Sequence, residues 1–148
     1  RLALPWRMCH SSISVNRGML SMIVRSLQDL KAQGRYQEKP GVWTSSRYLL
    51  RDDAVGFTLT QTTVAAGQSQ LMEYKNHIEA NLVIAGAGEV TDELTGEVFS
   101  LQPGTMYTLD KHDRHRLTAH SDMTLVCVFS PALQGTESHD SDGSYPIL

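Results

Sequence analysis

The chain has 148 residues, 41% of them hydrophobic and 20% charged, which is one domain's worth of sequence with enough apolar side chain for a core and too little charge for a disordered polymer. Thirteen Lys and Arg against sixteen Asp and Glu give a net charge of -3, without the basic footprint of a nucleic-acid binder. No run approaches the roughly 20 apolar residues that span a bilayer as a helix, and the two cysteines, Cys9 and Cys127, support neither a disulfide framework nor a Cys-rich zinc site, so a reducing, cytoplasmic compartment is expected.

Residues 1–21 carry Arg1, Arg7 and Arg17, several serines and no acid. That bias reads as an appendage, either a flexible tail or a stretch upstream of the true start, with an organelle leader as the alternative. The domain is expected to span 22–148, opening at Met22. Residues 22–33 read as a strand followed by a short helical turn, and 34–41, ending in Pro40-Gly41, as a turn. Short segments rich in β-branched and aromatic residues then recur at 45–50, 56–64, 69–74, 79–86, 89–94, 97–102, 105–109, 114–120 and 123–130. The turn signals between them leave no room for crossover helices, so the fold class is all-β: antiparallel sheets closing into a sandwich or small barrel. The polar, turn-rich stretch after Ser130 reads on composition as a loose C-terminus.

Within this pattern Gly67-x5-Glu73-x-Lys75-x3-Glu79-x6-Gly86 and Gly104-x5-Asp110-x-His112-x2-His115 resemble the two signatures of the cupin superfamily. Glu79 keeps the glutamate of the first frame and His115 the last histidine of the second. In a cupin barrel such side chains point inward from facing strands, so Glu79 and His115 are expected to meet despite their separation in sequence. A regular strand would also put Glu73, Lys75, His77 and Glu79 on one face. Burying so many ionisable groups unpartnered costs several kcal/mol each, by rough estimate, so the interior must be wet, metal-bearing or ligand-filled. Tyr107, three residues beyond Gly104, is a candidate third ligand as a phenolate. Carboxylate, phenolate and imidazole with open positions suit iron or manganese better than a closed structural zinc. Cys127, inside the apolar run LVCVF, reads as a buried small hydrophobe, and 110–113 as loop geometry and surface charge.

Longer strings narrow the resemblance. YKNHIEA (74–80), PGTMYTLDKHDRH (103–115), LVCVFSP (125–131) and GTESHDSDGSYP (135–146) resemble the ectoine synthase family, cupin-fold lyases, and the similarity extends through MIVRSLQDL (22–30), WTSSR (43–47) and LLRDDAVGF (49–57). What the resemblance implies is closure of N-γ-acetyl-L-2,4-diaminobutyrate to the compatible solute ectoine with loss of water, by a cytoplasmic, metal-dependent homodimer in the osmotic stress response. It implies Fe(II) as the cofactor, held by Glu79, Tyr107 and His115. It implies substrate contacts at Trp43, Arg47, Thr62 and Phe129, and acid–base or amine-binding roles for Tyr74, Glu137 and His139, the last two on a segment folding over the barrel mouth. His77 is expected to line the pocket or orient Glu79. Departures at Thr60, Gln61, Glu73 and Thr136 bear on substrate fit at the rim. The alternatives are another metal-dependent cupin, an oxygenase or hydrolase, and a non-catalytic solute-binding cupin.

Overall fold

The computed structural model describes residues 22–141 and 143–146, so the expectation for residues 1–21 lies outside them. Ser26 starts a short helix, α1 (Leu27–Ala32), through a reciprocal cap: its hydroxyl accepts from the Asp29 amide at 3.2 Å while the Asp29 carboxylate accepts from the Ser26 amide at 2.6 Å. The helix docks through Leu30, which is fully buried and contributes roughly 2 kcal/mol by its apolar area alone.

Ten antiparallel strands follow: β1 (Tyr36–Lys39), β2 (Trp43–Leu49), β3 (Thr58–Val64), β4 (Ser69–Met72), β5 (Ile78–Ala85), β6 (Gly88–Asp92), β7 (Val98–Leu101), β8 (Met106–Leu109), β9 (His115–Ala119) and β10 (Met123–Ser130). They form a six-stranded sheet, β1-β2-β3-β10-β5-β8, and a four-stranded sheet, β4-β9-β6-β7. Strict alternation along β9 and β10 sends Leu117, Ala119, Met123, Leu125, Cys127 and Phe129 inward, and they meet Val83, Val90 and Leu109 in the core between the sheets. The all-β, small-barrel expectation therefore holds.

Four local expectations are corrected. Residues 22–26 pair with no strand; Met22 and Val24 are 89% and 82% exposed, and β-branched propensity makes no strand without an edge to pair with. Residues 36–39, expected within a turn, form edge strand β1 on β2, because pairing satisfies a polar backbone without needing a buried face. The strand expected to run through Glu73, Lys75, His77 and Glu79 is broken: 73–77 are irregular where the chain passes from the four-stranded sheet to the six-stranded one. Glu73 is thus half-buried and Lys75 exposed, while His77 and Glu79 are buried. The tail after Ser130 is irregular but not loose, since Ala132, Leu133, Glu137 and Ser144 are all buried.

A buried ion cluster fixes the start of the domain, and the sequence reading did not anticipate it. Arg25 grips Asp53 with two bonds of 2.6 and 3.0 Å, Arg35 adds one of 2.8 Å, and the Leu50 amide one of 2.9 Å. Burial pushes the Asp53 carboxyl up, but these donors outweigh it and hold it down at about 2.

Candidate active site

The tail closes one end of the barrel over a cavity of about 130 Å³, whose lining includes Trp43, Arg47, Thr62, Tyr74, Glu79, Tyr107, Phe129, Glu137 and His139. These side chains come from β2, β3, β5, β8, β10, the 73–77 crossing and the tail, so only tertiary closure assembles them. Phe129 stands opposite Glu79 in register and meets the Tyr74 ring edge-on at 5.3 Å.

Glu79 is inward-facing on β5, and Tyr107 reaches the same interior from β8, paired in register with Asn81 two residues further along β5. His115 comes from the facing sheet, its ring 6.4 Å from that of Tyr107 and 6.1 Å from that of Tyr74. His115 Nδ1 lies 3.0 Å from the Asp113 carbonyl, which takes an N–H there and leaves Nε2 with its lone pair. That Nε2 is buried without any hydrogen-bond partner. Burial lowers the His115 pKa, favouring the neutral imidazole. Burial likewise pushes the Glu79 carboxyl up to about 8, with Asn81 pulling it partly back, and raises the Tyr107 phenol, to which the Glu79 charge adds. All three shifts come first from burial, and a divalent cation among the three would reverse those of Glu79 and Tyr107 while keeping His115 neutral, the form that ligates. Among the described residues no group of three or more His, Cys, Asp and Glu is placed to hold a metal. The set reaches three only with the phenol of Tyr107. An orphaned imidazole nitrogen, a buried carboxyl and a buried phenol fit a hard divalent cation.

On the opposite wall the tail is latched by charge. Buried Arg47 donates to the Gly135 carbonyl and, at 2.9 Å, to Gln37. Buried Glu137 accepts from the Gln134 and Gly135 amides at 2.5 and 2.7 Å. Burial alone would raise its pKa, yet these amides and the Arg47 charge hold it below the usual glutamate value. His139, at the solvent edge, stacks on Tyr145 at 4.4 Å and shares a 3.0 Å hydrogen bond with the Tyr74 hydroxyl. Partial burial and the Arg47 cation lower its pKa, favouring the neutral form. Burial pushes the Cys127 thiol up to about 12, so it is a packed small hydrophobe rather than a nucleophile.

The ectoine synthase family model matches residues 22–148. The chain belongs to the ectoine synthase family. L-ectoine synthase of Oceanobacillus iheyensis is 51% identical over 127 residues, 86% of this chain and 98% of that protein. L-ectoine synthase of Sphingopyxis alaskensis is 47% identical over 125 residues, 84% and 90% of the two chains. The crystal structure of ectoine synthase from P. lautus superposes with a TM-score of 0.75 at 43% identity, covering 86% of this chain and 91% of that one. An RmlC-like cupin from Shewanella frigidimarina superposes with a TM-score of 0.54 at 17% identity, over 66% of this chain and 83% of that one, a likeness of fold alone.

For a member of the ectoine synthase family, the expected site residues fall on or beside the cavity wall. Nine of the ten line the cavity, and the tenth, His115, sits against two of them. His77 is buried beside Phe129 with both ring nitrogens unpartnered, outside the cavity lining. Of the departures, Thr60 is buried and lines the cavity, Gln61 and Glu73 are half-buried, and Thr136 is exposed. Several residues escaped the reading. Gln37 braces Arg47; Tyr145 stacks against both His139 and Tyr74; His112, expected as surface charge, has its Nδ1 2.7 Å from the Tyr74 carbonyl. Asn81 carried a usable signal, since it follows Glu79 by two on the same strand face.

Proposed function

We propose that this protein closes the ring of N-γ-acetyl-L-2,4-diaminobutyrate to give ectoine and water, as a metal-dependent lyase. The reading rests on family membership together with one observation: a buried carboxyl, a buried phenol and an orphaned imidazole nitrogen gather beside a small cavity latched shut by the tail. The α-amine attacks the acetyl amide carbon, a C–N bond forms, and the amide oxygen departs as water after two protons pass to it from nitrogen. Glu79, Tyr107 and His115 would hold the cation, with Fe(II) foremost. Bound there, it supplies a Lewis acid for an amide carbonyl that is otherwise a poor electrophile.

The remaining work belongs to the chain. Arg47 binds the substrate carboxylate, while Trp43, Thr62 and Phe129 wall the folded substrate. Holding the tethered amine against its electrophile is worth roughly 7–11 kcal/mol in well-oriented intramolecular reactions. Glu137, kept anionic by two amides and Arg47, attracts the amine end and is too weak a base to take its proton. The neutral His139 imidazole and the Tyr74 hydroxyl, joined by their hydrogen bond, move the protons. The closed tail excludes bulk water, which would drive hydrolysis.

The same reading makes residues 22–148 the catalytic domain and the protein a cytoplasmic homodimer serving osmoprotection. A second copy is supported by the outer face of β5 and β8, where Ile78, Leu82, Ile84 and Met106 are 42–59% exposed and uncharged. Among the described residues no helix is long and apolar enough to cross a membrane. The test is purified protein with Fe(II) and the acetylated diamino acid, followed by NMR. The cyclic amidine is expected from the native protein and not from His115→Ala. Full turnover by a metal-free preparation would overturn the metal assignment, and oxygen consumption would favour a retuned cupin oxygenase.

A further inference from the structure

Tyr107 lines two cavities. One is the tail-covered cavity described above; the other is a separate cleft of about 180 Å³, whose lining includes Asp92, Asp110, Lys111, Asp113 and His115. We propose that the divalent cation enters and leaves the Glu79–Tyr107–His115 site through this second cleft, steered by its three aspartates and without passing through the substrate cavity.

The proposal rests on the metal reading of that trio and goes beyond it by assigning a route. The trio stands between the two cavities, with Glu79 lining the tail-covered one, His115 the cleft and Tyr107 both. His115 is 1% exposed, its Nε2 has no protein partner, and it lines the cleft but not the tail-covered cavity. The aspartates are built into the approach. Asp92 lies on the inward face of β6, directly in register with His115, and its Oδ1 is anchored by the Leu94 and Thr95 amides at 2.7 and 3.2 Å. Asp113 caps the Lys111 amide through Oδ2 at 3.2 Å, while its carbonyl sets the His115 tautomer.

Charge separates the two routes. Three aspartates against Lys111 leave the cleft net negative, whereas beneath the tail the charges of Arg47 and Glu137 cancel and the latch is closed. Field lines from a cleft of one sign raise cation capture by tenfold or more at low ionic strength. A separate route also lets the metal exchange while the substrate cavity is occupied.

The test loads metal-free protein with Co(II) alone and follows the visible absorption of the bound ion by stopped flow. Asp92→Asn with Asp110→Asn keeps the hydrogen-bond acceptors and removes two charges. This double variant is expected to bind one Co(II) per chain with the native spectrum, but to load about tenfold more slowly at low salt, the difference shrinking in about 0.5 M salt. Removing two acids at the other end of β10, by Glu38→Gln with Asp122→Asn, is expected to leave the rate unchanged. Glu137→Gln, which loosens the tail, should also leave it unchanged. Native loading by the Asp92/Asp110 variant, or faster loading on loosening the tail, would overturn the route. Failure of the native protein to take up one Co(II), or an unaltered spectrum in His115→Ala, would instead overturn the metal reading beneath it.

Discussion

Replacing Glu137 by Gln tests whether the tail is a charge-held latch. The carboxylate accepts two amide hydrogens, from Gln134 and Gly135, at 2.5 and 2.7 Å, and lies close enough to Arg47 for that charge to lower its pKa. Gln turns one acceptor into a donor facing an N–H, so one charge-assisted bond is lost and one amide is orphaned, a cost of about 2 kcal/mol. That corresponds to roughly a thirtyfold shift toward the open tail. The barrel keeps its core, so the melting temperature should scarcely move. Hydrogen exchange at the Gln134 and Gly135 amides should accelerate about thirtyfold, and turnover should fall with it. Because the folded pKa is depressed, the native latch is fully present above the ordinary glutamate value of 4.5 and is lost as pH falls through the lower folded value. Unchanged exchange in the variant would refute the latch and leave Glu137 a substrate-facing group only.

Asp53 ties residues 25–35 to the barrel, and its folded pKa of about 2 against 3.8 unfolded is worth about 2 kcal/mol. That stability is complete above pH 3.8 and disappears as pH falls toward 2, so urea midpoints of the native protein should drop across this window while those of Asp53→Asn stay flatter. At neutral pH Asp53→Asn should cost about 3 kcal/mol, since it leaves two arginines without their buried partner; a loss below about 1 kcal/mol would show the cluster to be idle. Gly143 has φ +74°, and a Cβ there would sit 2.6 Å from the Leu71 carbonyl oxygen. Gly143→Ala should therefore lift the tail from β4, raising protease sensitivity around 135–146 with little change in the barrel's melt. Leu82→Glu puts a charge on the exposed apolar face and should yield monomers by light scattering; an intact dimer would place the interface elsewhere.

The fold was legible because short segments rich in β-branched and aromatic residues between turn signals are a local signal, and nine of the ten described strands fell on them. β1 did not, because an edge strand of polar residues buries no face that could impress a pattern on the sequence. The candidate site was legible through motif spacing at Glu79 and His115 and through family resemblance elsewhere. Composition alone misled at the tail. Its Glu137, Ser144 and Tyr145 are polar by letter but packed in fact, held by partners such as Gln134, Gly135 and Lys75.

By itself, then, the sequence determined the class of fold, where nine of the ten described strands lie along the chain and the kinds of donor available to a cation. The tertiary structure decided which donors face one another, which carboxylate is latched by amides, and that Asp92 stands beside His115. Register and sheet closure set those relations, and both depend on contacts between residues tens of positions apart, where hydrophobic period carries no information.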